Sequence, residues 1–304
     1  MLHTLGDTPV LGVSLGNVSL LRLDQAGGPA PGNKSFKLAN YFLEARRMGV
    51  SRLLSFGGAW SNHLHALAAA GRHHGVQTIG IVRGDEDAPD TAMMSDARRY
   101  GMQLLRVSRA EYRLRHDVGY QRQLMARFAP CLLIPEGGAS IIGARGCAAI
   151  ADLIRRQAPQ VRKIVLPVGT GTTLAGLAAC LDEGFEVTGI SALRETYGLE
   201  ERAQGLLDAL DTGSASHRAA QWRILYEFHC GGFARVDARL REFMLAFEQT
   251  HGVPLEPVYT GKMMLAIHRL RERGEWDEGE PVLAIHTGGL QGRRGYPWLA
   301  AAPR

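Results

Sequence analysis

Residues 163–180 read KIVLPVGTGTTLAGLAAC, and this stretch determines the fold class of the chain. An apolar run suited to a buried strand meets a loop of glycine and threonine, and an apolar stretch suited to a helix follows. The same alternation recurs elsewhere. Strands are predicted at 52–56, 78–82, 103–107, 131–135, 163–168, 186–191 and 282–286. Helices are predicted from about 34, 61, 89 and 172, and over 109–128, 140–157, 237–251 and 259–273. Strands that alternate with helices indicate an α/β fold with mostly parallel sheets.

Composition narrows the class of protein. The 304 residues exceed one average domain of about 150, so one large or two medium domains are expected. With 45% hydrophobic and 21% charged residues, the chain reads as globular and not disordered. No apolar run approaches the ~18 residues that cross a membrane, and no basic segment precedes an apolar one at the N-terminus. We therefore expect a cytoplasmic protein without a membrane segment.

Charge and cysteine usage argue against two further classes of partner. The formal net charge is +5, but the basic residues are scattered along the sequence, which argues against nucleic acid. The four cysteines, Cys131, Cys147, Cys180 and Cys230, are too far apart for a zinc spacing. We predict buried free thiols and no metal site.

Lysine is rare in this chain. Only Lys34, Lys37, Lys163 and Lys262 are lysines among 35 basic residues. Arginine stays charged, whereas a lysine amine can lose its proton and act as a nucleophile or a base. Two of the four lie in the segment GNKSFK, residues 32–37. Either they serve chemistry, or they are two solvated helix lysines.

Three predicted junctions between a strand and a helix carry glycine and small polar residues. They are SFGGAWSNH at 55–63, LPVGTGTTLAG at 166–176 and AIHTGGL at 284–290, the last joined by VYTGK at 258–262. Free N–H groups at a helix N-terminus, together with hydroxyls, suit a phosphate at the second junction. The Walker lysine is absent, and Leu174 stands where a dinucleotide fingerprint needs glycine. A single phosphate therefore fits better than a dinucleotide, and a capped helix without ligand is the alternative.

A lysine together with a separate single-phosphate cradle fits pyridoxal 5′-phosphate (PLP), whose aldehyde condenses with a lysine amine. The motifs GNKSFKL, FGGAWSNH, IPEGGAS, VGTGTTLAG, EPVYTGK and HTGG also resemble, in order, those of the 1-aminocyclopropane-1-carboxylate deaminase and D-cysteine desulfhydrase family. That family belongs to the tryptophan-synthase-β-like, fold type II, PLP enzymes. The resemblance covers residues 31 to 289. It implies two α/β domains with PLP in the cleft, a smaller one at 38–133 and a larger one formed by 1–37 and 134–304. It also implies a homodimer.

The resemblance assigns roles residue by residue. Lys34 is the residue that binds the cofactor covalently, and Ser61 and Tyr259 join it as catalytic residues. The phosphate loop comprises Gly169, Thr170, Gly171, Thr172 and Thr173, while Asn62 and Thr260 also contact the cofactor. Ser61, Asn62, His63, Tyr259 and Thr287 contact the substrate. By their place in the sequence, His63 and His286 are candidate acid–base groups or structural histidines.

Two positions point to one side of this family. The position that approaches the pyridine nitrogen is glutamate in the deaminase pattern and Thr260 here, and the leucine of that pattern is Thr287 here. We therefore predict a desulfhydrase-like lyase that removes a β-substituent from a small amino acid and gives a 2-oxo acid and ammonia. The alternatives are a 1-aminocyclopropane-1-carboxylate deaminase, an amino-acid racemase, a β-replacement synthase and a non-catalytic small-molecule-binding protein.

Overall fold

The structure is a computed structural model that describes residues 1–194, 198–210 and 218–300. The chain divides into two compact units. The larger unit comprises Met1–Ala26 and Cys147–Leu290, and the smaller comprises Gly27–Gly146 with the described residues from Gln291 onward. Within the described residues, no helix has both the length and the apolar character needed to cross a membrane.

Ten strands and twelve α-helices are described. The strands are β1 (Leu2–Thr4), β2 (Val18–Arg22), β3 (Arg52–Gly58), β4 (Gln77–Arg83), β5 (Gln103–Val107), β6 (Leu132–Ile134), β7 (Lys163–Val168), β8 (Glu186–Ser191), β9 (Gln221–Leu225) and β10 (Val282–His286). The helices are α1 (Asn33–Met48), α2 (Asn62–His74), α3 (Ala92–Arg99), α4 (Arg109–Arg113), α5 (Val118–Arg127), α6 (Ile141–Gly146), α7 (Ala148–Gln157), α8 (Thr172–Cys180), α9 (Leu199–Leu210), α10 (Ala238–His251), α11 (Thr260–Glu272) and α12 (Pro297–Ala300).

Each unit is built on its own sheet. The larger unit has the strand order β1-β2-β10-β7-β8-β9, in which only β1 is antiparallel to its neighbour. The smaller unit has the order β5-β4-β3-β6, and all its pairs are parallel. The predicted α/β class with mostly parallel sheets is confirmed. In such sheets, ligands bind beyond the carboxyl ends of the strands, so these ends locate the candidate site.

The smaller unit extends beyond the 38–133 range expected from the sequence. It includes the first turn of α1 and the segment that follows β6, because α1 packs closely against α6. A Cβ at Gly146 would lie 2.0 Å from the carbonyl oxygen of Phe36, so only glycine permits this approach. Lys34 thus belongs to the smaller unit. The C-terminal segment joins the same unit, since Gln291 Nε2 donates to Asn62 Oδ1 at 2.6 Å and Arg294 pairs with Asp96.

Some elements differ from the sequence-based expectation. The helix predicted over 109–128 is interrupted, because Asp117 caps a new helix by accepting from the N–H of Tyr120 at 2.7 Å. The helix predicted over 140–157 is likewise divided into α6 and α7. Strands β1, β2 and β9 and helices α9 and α12 were not predicted from the sequence.

Candidate active site

Lys34 lies in the first turn of α1 in the smaller unit. The helix begins after Gly32, whose φ of 117° lies in the region that favours glycine. The Lys34 side chain is half-buried, and its Nζ donates to Asn33 Oδ1 at 3.1 Å. Lys37, one helical turn further on, is only 2% exposed. Of the two lysines in this motif, Lys34 is therefore the more accessible amine.

Ser61 and Asn62 begin α2, directly beyond the carboxyl end of β3. The Ser61 hydroxyl oxygen caps the helix by accepting from the N–H of Leu64 at 3.2 Å. A Cβ at Gly57 would lie 2.5 Å from Ser61 Oγ, so residue 57 must be glycine for the serine to reach this position. Because Asn62 Oδ1 accepts from Gln291, both residues have an acceptor satisfied within the protein. The Ser61 O–H and the Asn62 amide N–H remain as donors for an anion such as a carboxylate.

His63 is buried, and its hydrogen bonds fix its tautomer. The Ser55 hydroxyl donates to the carbonyl of Ile134 at 2.7 Å, so its oxygen accepts from His63 Nε2 at 2.9 Å. Burial, together with the positive charges of Lys34 and Lys37, holds the pKa of His63 well below its usual value. The ring is therefore neutral, with its proton on Nε2. Its buried Nδ1 has no hydrogen-bond partner in the described part of the chain.

The loop from Gly169 to Thr173 lies in the larger unit; it follows β7 and includes the first two residues of α8. Gly171 has a φ of 77° and occupies the N-cap of α8, where no side chain caps the helix within the described residues. By contrast, the N–H groups at the starts of α2, α3, α5 and α10 are capped by Ser61, Thr91, Asp117 and Asp237. The Thr170 and Thr172 hydroxyls lie 2.9 Å apart at this end of the helix. Amides without a side-chain cap, beside two hydroxyls, form a site suited to a phosphate.

Tyr259 packs on this loop. A Cβ at Gly169 would lie 3.2 Å from both Cε1 and Oη of Tyr259, so the ring covers the glycine directly. The next residue, Thr260, is fully buried at the first position of α11. Its hydroxyl accepts from the N–H of Glu256 at 2.9 Å and forms a longer bond, 3.3 Å, to the carbonyl oxygen of Glu256. The structure thus brings Tyr259 to the phosphate loop and leaves an uncharged hydroxyl beside it in sequence.

Glu256 organises this turn, a role that the sequence analysis missed. Its buried carboxylate accepts from the N–H groups of Val258, Tyr259 and Thr260 at 2.9, 2.6 and 2.7 Å. Burial raises the pKa of Glu256, and these backbone donors oppose that increase. A glutamate three residues before a predicted helix start was the available signal.

Thr287 follows the carboxyl end of β10, which is the neighbour of β7 in the sheet. It is 8% exposed and precedes Gly288 and Gly289, both with positive φ. Thr287 therefore lies on the same sheet edge as the phosphate loop.

His286, by contrast, has a structural environment. Its Nε2 lies 2.8 Å from the carbonyl of Pro254, and its Nδ1 lies 3.1 Å from Asp24. Burial would raise the pKa of Asp24, but hydrogen bonds from Arg22 and His286 hold it well below its usual value. With both ring nitrogens engaged, His286 fits a structural histidine better than an acid–base group.

The predicted site residues thus form two groups. The smaller unit carries Lys34, Ser61, Asn62 and His63, and the larger unit carries Gly169 to Thr173, Tyr259, Thr260 and Thr287. The residues present fit PLP. Lys34 offers an accessible amine, and the start of α8 offers N–H groups without a side-chain cap, in a loop where a Cβ at Gly169 would press on the Tyr259 ring.

Comparisons with known proteins agree with this chemistry. A family model described as "Pyridoxal-phosphate dependent enzyme" matches residues 2–288. The chain is 26% identical over 283 residues to a Pyrococcus abyssi protein whose provisional name is 1-aminocyclopropane-1-carboxylate deaminase, covering 91% of this chain and 85% of that one. It is also 26% identical over 270 residues to D-cysteine desulfhydrase of Salmonella choleraesuis, covering 85% and 82%. The crystal structure of a homologue of 1-aminocyclopropane-1-carboxylate deaminase matches with a TM-score of 0.81 and 25% identity, covering 95% of this chain and 89% of that one.

Proposed function

The chain belongs to the pyridoxal-phosphate dependent enzyme family, and from this premise we propose that it is a lyase acting on a small amino acid. The proposed reaction eliminates a β-substituent and gives a 2-oxo acid and ammonia. Relatives named for D-cysteine desulfhydrase and for 1-aminocyclopropane-1-carboxylate deaminase support this class of reaction.

The proposal gives each group of residues a task. The N–H groups of the Gly169–Thr173 loop and its hydroxyls bind the cofactor phosphate, and Tyr259 lies beside the cofactor ring. Lys34 binds the cofactor covalently. When bound, the cofactor withdraws electrons from the α-carbon of an amino acid and makes its proton removable.

The substrate is held by donors at the start of α2. The Ser61 O–H and the Asn62 amide N–H bind its carboxylate, because their acceptor atoms are already satisfied by Leu64 and Gln291. Asn62 also contacts the cofactor, and Thr287 contacts the substrate. His63 stays neutral, and its Nε2 is held by the Ser55 hydroxyl. Lys34 Nζ, which the amino group of the substrate would displace from the cofactor, would accept the α-proton, and the β-substituent would leave with its bonding electron pair.

The observation that carries the proposal is the hydroxyl of Thr260. This hydroxyl accepts from the backbone N–H of Glu256 and donates to the carbonyl oxygen of Glu256, so position 260 presents no charged group. Without a charged group at this position, a pyridine nitrogen would stay unprotonated, and the ring would be a weaker electron sink. Elimination of thiolate or chloride needs only a removable α-proton. Opening a cyclopropane ring at a quaternary carbon, which has no such proton, needs a stronger sink.

A substrate panel on the cofactor-loaded protein tests the proposal. We expect pyruvate from D-cysteine and β-chloro-D-alanine, and little or no 2-oxobutyrate from 1-aminocyclopropane-1-carboxylate. Both enantiomers of serine and cysteine, followed by chiral chromatography, separate elimination from racemisation, and added thiols reveal β-replacement. The control is Lys34→Ala. Efficient ring opening would contradict the proposal and indicate a 1-aminocyclopropane-1-carboxylate deaminase. Racemisation without 2-oxo acid would contradict it and indicate an amino-acid racemase. A purified protein that binds no PLP would favour the non-catalytic one.

The proposal further includes a homodimer that works in the cytoplasm. The homodimer rests on the family resemblance, in which homodimers are usual. Light scattering coupled to size-exclusion chromatography measures the mass in solution, which we expect to be twice the 33.1 kDa of the chain.

A further inference from the structure

The smaller unit contains a cavity that the proposed lyase reaction does not use. Its volume is about 300 Å³, and its lining consists of Arg83, Arg109, Arg113 and Arg115 around the ring of Tyr112. It lies where β4 ends at Arg83 and where β5 leads through Ser108 into α4. The carboxyl edge of a parallel sheet is where such folds bind small ligands.

Positive charge accumulates at this cavity without matching negative charge. Arginine remains charged at every working pH, so the lining carries four cations. One carboxylate, Glu136, faces them and is already shared: it accepts from Tyr112 Oη at 2.8 Å and from Arg115 Nε at 2.7 Å. Within the described chain, neither Arg83 nor Arg109 forms an ion pair with a carboxylate. Like charges held close together repel, and a bound anion removes that repulsion.

Tyr112 anchors two of the guanidinium groups. The Arg115 guanidinium lies 4.9 Å from the centre of its ring, and that of Arg83 lies 5.7 Å from it. Burial and the charge of Glu136 raise the pKa of Tyr112, so its hydroxyl stays protonated and keeps donating to Glu136. The ring is only 4% exposed, which leaves no face for a nucleobase to stack on.

We propose that this cavity binds a small multivalent oxyanion. The planar forks of arginine pair bidentately with phosphate and with carboxylate oxygens. A volume of about 300 Å³ corresponds to about ten water molecules, which suits a compact anion and not a large cofactor. The ligand is therefore either a phosphate compound or a polycarboxylate.

Calorimetric titration of the cofactor-loaded protein, at constant ionic strength and without free PLP, tests the site. The two probes are pyrophosphate and citrate. We expect at least one to bind, and we expect Arg83→Ala and Arg109→Ala each to raise its Kd about tenfold or more. Neither variant removes a residue assigned to the lyase reaction, so elimination activity should persist in both. Arg115 is left intact because it holds Glu136.

The matched control is Arg156→Ala, which removes the same charge from an exposed position on α7 in the larger unit. It should leave the Kd unchanged. Binding of pyrophosphate alone would assign the site to phosphate compounds, and binding of citrate alone would assign it to polycarboxylates. The site does not exist if neither probe binds, or if Arg83→Ala and Arg109→Ala weaken binding no more than Arg156→Ala does.

Discussion

Replacing Gly171 with aspartate is the sharpest test of the phosphate loop. Gly171 has a φ of 77°, so any other residue there costs about 1–2 kcal/mol of folding free energy. Its Cβ would lie 3.3 Å from both Ala203 and Leu199, a close contact that α9 can relieve by a small shift. Both effects lower the stability of the fold. The effect on cofactor binding comes from the added charge.

The size of that effect follows from Coulomb's law. A carboxylate about 4 Å from a phosphate dianion costs about 2 kcal/mol in water and about 8 kcal/mol at an effective dielectric constant of 20. Because about 1.4 kcal/mol corresponds to a tenfold change, even the smaller value weakens PLP binding about thirtyfold. We therefore expect at least a thirtyfold rise in the Kd of PLP for Gly171→Asp.

Two matched variants isolate this effect. Gly171→Asn has the same shape and backbone strain without the charge. Gly252→Asp adds the same charge at a glycine that also has a positive φ, 65°, but ends α10 with open space around it. The measurement is a titration of cofactor-free protein with PLP, followed by absorbance, and circular dichroism checks that each variant folds. Equal Kd values for Gly171→Asp and Gly171→Asn would show that the phosphate binds elsewhere, with the loop at 137–140 as the next candidate.

Four further predictions concern other residues. After borohydride reduction, peptide mapping should find the pyridoxyl group on Lys34, and a label on any other lysine would overturn the assignment. Ser55→Ala should lower the free energy of unfolding by about 1–3 kcal/mol, because it leaves the buried Nε2–H of His63 without an acceptor; Ser55→Thr keeps the hydroxyl and should lose less in urea unfolding. Thr260→Glu should raise ring opening relative to elimination, whereas Thr260→Gln, equally long but neutral, should not; the same activity ratio in both would refute a role for charge at this position. Burial lowers the pKa of Lys262 from 10.5 to about 8. Between these pH values the unfolded chain therefore binds more protons than the native state, and the native state gains stability as the pH rises. Lys262→Met should abolish that gain, which urea unfolding at pH 8 and pH 10 measures.

The regular part of the fold was readable from the sequence for a physical reason. Strands such as β7 and β10 are buried along their whole length, so they appear as nearly continuous apolar runs. Strand β9 was missed because it lies at the sheet edge, where among its five residues only Ile224 is buried. A short run that is mostly half-exposed resembles a loop.

The site was predictable only as far as local spacing carries information. The glycine and threonine of the phosphate loop are adjacent in sequence, and so are Ser61 and Asn62. The groups that orient them are distant. Gln291 is 229 residues from the Asn62 amide that it fixes, and the carbonyl that determines the proton position on His63 belongs to Ile134, 79 residues from Ser55. Hydrogen bonds of this range depend on the fold and leave no local pattern.

The arginine-lined cavity was also not predictable from the sequence, because its residues are distant along the chain. In the sequence, Arg83 stands alone, and Arg109, Arg113 and Arg115 look like ordinary solvated charges, so the pattern predicts no basic cluster. Strands β4 and β5 are parallel neighbours, with Arg83 paired in register with Val107. Their carboxyl ends therefore meet, and residues 26 positions apart line one cavity. The spacing of basic residues along the sequence therefore does not predict where positive charge concentrates in a parallel sheet, because the last residues of all its strands lie at the same edge.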